Sequence, residues 1–222
     1  MSSRRSLLDT SPVSQQTHLE DLVCALVQVI GLGLAIAGIA VLITLAALEG
    51  DAWHIVSVSI YGATLVIVYL SSTIYHVTWS NEPKRIFKVL DHANIHLLIA
   101  GTYTPFMLVT LKGGWGWSIF GVIWGLSLVG YLLKVVFRDR YGSVSVILYL
   151  SMGWLITMAA GPLMGKLPWD GLAWLLTGGV IYSLGVIFFL LDRLRFHHAV
   201  WQLFVLGGSA CFYIAILLYV LP

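Results

Sequence analysis

The chain has 222 residues, of which 59% are hydrophobic and only 10% charged, and its mean hydropathy is +0.92. An ordinary soluble domain carries about 25% charged residues, so this composition describes an integral membrane protein. A formal net charge of +2, scattered along the chain, offers no surface for DNA or RNA, and no nucleic-acid partner is expected.

Residues 1–21 are polar and Ser-rich, with Arg4 and Arg5 near the start. They contain no short apolar core followed by a small-residue cleavage site, and are expected to form a tail rather than a cleaved signal peptide. Residues 22–48 carry no charge and are long enough for one spanning helix, which needs about 20 residues. Glu49, Gly50 and Asp51 end it. A second apolar stretch covers 53–79 and, after a polar turn at 80–85, a third covers 87–111. Lys112, Gly113 and Gly114 form a loop before the fourth, 115–137, where Trp115 and Trp117 are placed as interfacial anchors. Arg138, Asp139 and Arg140 close that stretch. The fifth, 144–164, is interrupted near its end by Gly161 and Pro162, where a kink or termination is expected. The sixth covers 172–191, and Asp192, Arg193 and Arg195 precede the seventh, 199–221. The expectation is an all-α protein with one domain, 22–221, of seven transmembrane helices.

Cytoplasmic loops hold an excess of Lys and Arg. Ten of the twelve basic residues fall on one side of this arrangement, and only Lys112 and Lys166 on the other. The N-terminus is therefore expected to be cytoplasmic and the C-terminus exterior. Cys24 and Cys211 sit far apart in separate apolar stretches, which argues against a disulfide.

Chemistry concentrates between Ser71 and Pro105, SSTIYHVTWSNEPKRIFKVLDHANIHLLIAGTYTP, which puts three histidines and an aspartate into sequence apolar enough for a bilayer. Ionisable groups there cost several kcal/mol unless paired, wetted or bound to metal. Ser72 and His76 are four apart and share a helix face, as do His198 and Gln202. At about 1.5 Å of rise per residue, His76, Asp91 and His198 all lie within roughly 5 to 12 Å of the cytoplasmic boundary. Imidazoles, a carboxylate and a hydroxyl at one depth are the parts of a zinc site, in which the metal lowers the pKa of water toward 7. Such a site would meet the amide or ester linkage of a membrane lipid whose tails lie between the helices.

SSTIYH, DHANIHLLIAGTYTP and HHAVWQLFVLGGSA, taken together over about residues 18–221, resemble the hemolysin III branch of the progestin and adipoQ receptor family, bacterial relatives of the adiponectin receptors. The resemblance implies seven helices with a cytoplasmic N-terminus and, for a bacterial member, the inner membrane. By likeness to the adiponectin receptor branch it implies zinc held by His76 and by a histidine pair on the last helix, of which His198 is the first member. It further implies Asp91 acting on the attacking water, Ser72 at the family's nearby serine, and a ceramidase-like lipid hydrolysis.

The second member of the pair is Gln202, whose carbonyl oxygen is a poorer zinc donor than imidazole. Hemolysin III sequences usually carry histidine also where this chain has Gln28 and Phe212. His96, four after His92, is available as a replacement ligand, but it is offset from Asp91 by about 140° on an ideal helix.

Plainer readings stand beside these. His76 alone would serve as a histidine bonded to a backbone carbonyl. Asp91 would serve as a helix-start carboxylate paired with Lys88 or Arg85. His92 and His197 read equally as solvated interface residues or as ligands; His18 and His54 carry no assigned role. Gly101 and Pro105 read as packing or kink positions. Two functional classes stay open: a zinc-dependent lipid hydrolase, and a non-enzymatic membrane regulator or membrane-permeabilising protein with a degenerate metal site.

Overall fold

A computed structural model of the chain describes residues 9–138, 142–191 and 193–222. Arg4, Arg5, Asp139, Arg140 and Asp192, used above to mark the tail, the loops or the orientation, lie outside the described residues. Within them the helices are α1 (His18–Glu49), α2 (Ala52–Val77), α3 (Asn81–Pro105), α4 (Gly113–Phe137), α5 (Gly142–Trp154), α6 (Ala160–Met164), α7 (Trp169–Leu190) and α8 (His197–Tyr219). A π-helical turn, Phe106–Leu111, extends α3, and a 3-10 segment, Leu155–Ala159, joins α5 to α6. Seven helical stretches are thus long and apolar enough to cross a membrane, as the composition implied.

The helices α1 and α3 begin a turn or more ahead of their apolar stretches, and at α1 a side-chain cap sets the start. Thr17 and Glu20 form a capping box at α1: the Glu20 N–H donates to Thr17 Oγ1 at 3.2 Å, and the Thr17 N–H donates to Glu20 Oε2 at 2.8 Å. This draws Glu20 and Asp21 into the first turn of α1. The start of α3 at Asn81, without a side-chain cap, takes Lys84 into the helix. At the other end of the bundle Asp51 caps α2, accepting from the N–H groups of Trp53 and His54 at 2.9 and 3.1 Å. The His54 backbone bond holds the Asp51 carboxyl below the usual range.

The α1 helix packs on α2 and α8, α2 on α3, α3 on α4, and α7 on α8, while α5 touches α3, α4 and α7. The third span is the most buried of the seven and the least apolar. Its neighbours are other helices, so it can carry polar groups that a lipid-facing helix cannot. Gly101 permits its approach to α2, since a Cβ there would collide with Thr64 Oγ1. Leu42, Tyr61, Leu98, Phe106, Ile123 and Ile216 belong to the core between the helices, whereas Leu34, Leu132, Val136 and Ile147 point outward. Trp115 and Trp117 are exposed near one end of α4, and Trp117 meets Trp53 edge-on with centroids 5.8 Å apart. Cys24 and Cys211 are both free and buried, as expected.

The fifth span breaks one turn ahead of Pro162, where the missing N–H of a proline is felt at the carbonyl four residues earlier. Gly161 and Pro162 lie inside α6, and the irregular turn is Leu155–Ala159. Tyr103 of α3 meets it: its hydroxyl lies 2.8 Å from the carbonyl oxygens of Met152 and Gly153 and accepts from the Ile156 N–H at 2.8 Å. A neighbouring side chain thereby satisfies backbone groups that the broken helix frees.

Candidate metal centre

His76 lies in the last turn of α2, Asp91 in the third turn of α3, and His198 in the first turn of α8. A short turn at 78–80 joins α2 to α3, so the end of one helix and the start of the next meet at one end of the bundle. One ligand atom from each of the three residues lies within 4.8 Å of the others, and all three residues are buried. Donors bound tetrahedrally at about 2.0–2.1 Å would stand roughly 3.4 Å apart, so an ion would draw these atoms, now up to 4.8 Å apart, inward. The His76 and His198 rings are 5.2 Å apart, centre to centre.

Both nitrogens of His76 are engaged. Its Nδ1–H donates to Asp21 Oδ1 at 3.0 Å, and its Nε2 accepts from the Gln202 Nε2–H at 2.8 Å. Asp21 is fully buried; its Oδ2 accepts from Lys84 Nζ at 2.6 Å and from Ser14 Oγ at 3.2 Å. A carboxylate on the far nitrogen of an imidazole is the arrangement that holds metal-ligating histidines in one tautomer, with the other nitrogen presented to the ion. Neither Asp21 nor Lys84 stood out in the sequence. The readable signal was the T-x-x-E capping box with an acidic pair just ahead of an apolar stretch.

The other sequence candidates divide clearly. Ser72 is buried and faces the same cavity as Asp91, His198, Gln202 and Gln28. Asp91 does not pair with the basic residues considered for it: Arg85 bonds Glu82 at 3.4 Å, and Lys88 Nζ donates to the Val13 carbonyl at 3.1 Å. His96 does not join the cluster; it packs against Tyr149 at 4.5 Å and against Gly130 of α4, on another face of α3. His92 Nδ1 bonds the Lys88 carbonyl at 2.7 Å, and His197 Nδ1 bonds the Phe188 carbonyl at 3.3 Å. His18 stacks on Trp79, and His54 belongs to the cap of α2.

The cavity has a volume of about 350 Å³. Asp91, Ser72, His198, Gln202 and Gln28 line it as a polar group, and Ile99, Phe106, Ile156, Leu163 and Leu172 are among its many apolar walls. From Asp91 to Phe106 it follows α3 for about 22 Å, at 1.5 Å per residue. It is a long apolar slot with chemistry at one end.

The residues fit a divalent ion with one adjustment. Two imidazoles and a carboxylate suit zinc, and the Oε1 of Gln202 is buried without a hydrogen-bond partner. As oriented, however, the Gln202 amide offers an N–H to His76 Nε2, so metal binding requires the amide to turn and present Oε1.

The profile of the family described as haemolysin-III related matches residues 17–213. Hemolysin-3 of Bacillus cereus is 43% identical over 203 residues, covering 91% of this chain and 93% of that protein. The Hemolysin-3 homolog of Bacillus subtilis (strain 168) is 42% identical over 203 residues, covering 91% and 95%. The human monocyte to macrophage differentiation factor is 32% identical over 175 residues, covering 76% and 72%.

Proposed function

Because the chain belongs to the haemolysin-III related family and gathers His76, Asp91 and His198 beside an apolar slot, we propose that it is a zinc-dependent hydrolase of a lipid amide or ester, acting at the cytoplasmic leaflet of a bacterial plasma membrane. The single observation that carries this reading is the approach of the three ligand atoms to within 4.8 Å, with His76 held from behind by Asp21. His76 and His198 would hold the ion, with Gln202 Oε1 as a weaker third donor. Zinc, when bound, would supply a water of lowered pKa and polarise a carbonyl. Asp91 would accept the proton of that water, which the approach of its carboxylate to within 4.8 Å of the imidazole nitrogens favours. Ser72 would donate its hydroxyl to the carbonyl oxygen of the linkage. The apolar walls would hold one lipid chain and keep water from the rest of the slot. Ten basic residues on one side support the cytoplasmic placement of this end.

A second reading has its own observation in favour. The Gln202 amide satisfies His76 Nε2 without any ion, which suits a membrane regulator that kept the fold while its metal site decayed. A permeabilising role, suggested by the names of the bacterial relatives, has less support: the site opens into an apolar slot, and among the described residues no ring of charges lines it.

Metal analysis of the purified protein by plasma mass spectrometry, beside a His76→Ala, His198→Ala double variant, tests the proposal. Near-stoichiometric zinc lost in the variant is the expected outcome. Zinc absent from both folded proteins would reject the hydrolase and leave the regulator.

A further inference from the structure

The first turn of α1 reaches both site histidines through two adjacent carboxylates. Asp21 Oδ1 accepts from His76 Nδ1–H at 3.0 Å. Glu20 Oε1 accepts from the Phe196 N–H at 2.9 Å, and Phe196 is the left-handed residue, with φ of 58°, that turns the chain into α8 two residues before His198. The second carboxylate oxygen of Asp21 takes Lys84 Nζ at 2.6 Å, with Asp21, His76 and Lys84 all essentially excluded from solvent. A buried ion pair is weak grounds for stability, because desolvation cancels much of its attraction. Its presence behind a site histidine calls for another reason.

We propose that Glu20 and Asp21 are positioning residues for the metal centre: Asp21 fixes His76 in the tautomer with its proton on Nδ1, Lys84 balances the charge of that carboxylate, and Glu20 fixes the backbone that presents His198. The inference rests on the metal reading for its purpose, but not for its first test. Nitrogen NMR of the full-length, metal-free protein, labelled on histidine and assigned by loss of the signal in His76→Ala, reports where the His76 proton sits. A neutral ring protonated on Nδ1 is expected. A proton on Nε2, or a charged ring, in the wild type overturns the proposal whether or not any variant folds.

Removing both charges together, with Asp21→Leu and Lys84→Met, leaves neither one stranded and takes away the acceptor of Asp21. Because the Gln202 N–H at His76 Nε2 favours the same tautomer, the pair is also made on a Gln202→Leu background, where the His76 signal should split between tautomers while Gln202→Leu alone keeps the single form. An unchanged single tautomer in that folded triple variant overturns the proposal. Zinc affinity measured by competition with a chromophoric chelator should fall about 10- to 100-fold in the double variant. If the wild type binds no zinc, the hydrolase reading fails, while the tautomer measurement still decides the role of Asp21.

Discussion

Gln202 is the residue on which the chemistry turns. Its amide sits 2.8 Å from His76 Nε2, and its carbonyl oxygen has no partner, so it meets the site with the wrong atom for a metal. Replacing it by histidine supplies an imidazole at the same helix position, four after His198, and removes the competing N–H. We expect Gln202→His to raise zinc affinity by about tenfold or more, equivalent to ~1.4 kcal/mol, in a chelator competition assay. Equal affinities before and after would count against the proposed ligand geometry. Histidine, serine, aspartate and glutamine were all legible as candidates, since polar side chains are rare in apolar sequence. Asp21 and Lys84 were not, because each lies at the polar edge of its stretch, where charge is ordinary. Their burial depends on partners distant in sequence, each other at 63 positions and, for Asp21, His76 at 55.

At the scale of the element, the broken fifth span shows how one helix depends on another. A Gly-Pro pair is a reasonable place to expect an interruption, yet α6 accommodates Pro162, and the irregular turn falls at Leu155–Ala159 under Tyr103. The helix yields one turn ahead of its proline, and a hydroxyl from α3 takes up the freed N–H. Tyr103→Phe deletes that hydroxyl and leaves the Ile156 N–H unpaired in an apolar setting, at a cost of about 1–3 kcal/mol. The variant in detergent should unfold at a lower temperature than the wild type, and unchanged melting curves would show that the break is stable by itself. The proline made a break near this end readable; the partner that satisfies the freed groups was not, because Tyr103 lies about 50 positions away, in α3.

Across the whole molecule, the seven stretches that the described residues make long and apolar enough to span predict chain ends on opposite sides of the membrane, and the ten-to-two division of basic residues predicts a cytoplasmic N-terminus. A phosphatase fused after Pro222, active only outside the cytoplasm, should be active; the same enzyme fused before Met1 should be silent. The reverse pattern would invert the membrane sidedness of the metal centre and of any lipid it meets. The slot beside α3 belongs to this scale too, since its walls come from several helices and no single stretch of sequence outlines it.

The sequence by itself determined the seven spans, the family and the two free cysteines, and it predicted a common level along the bundle for His76, Asp91 and His198. Each depends on local composition, motif or axial rise along one helix. Only the tertiary structure decided which faces of α2, α3 and α8 turn together, that His96 packs against Tyr149 rather than the site, and that Asp21 and Lys84 stand behind His76. The azimuth of a helix is set by packing against its neighbours, and a bilayer, which constrains depth, is indifferent to rotation.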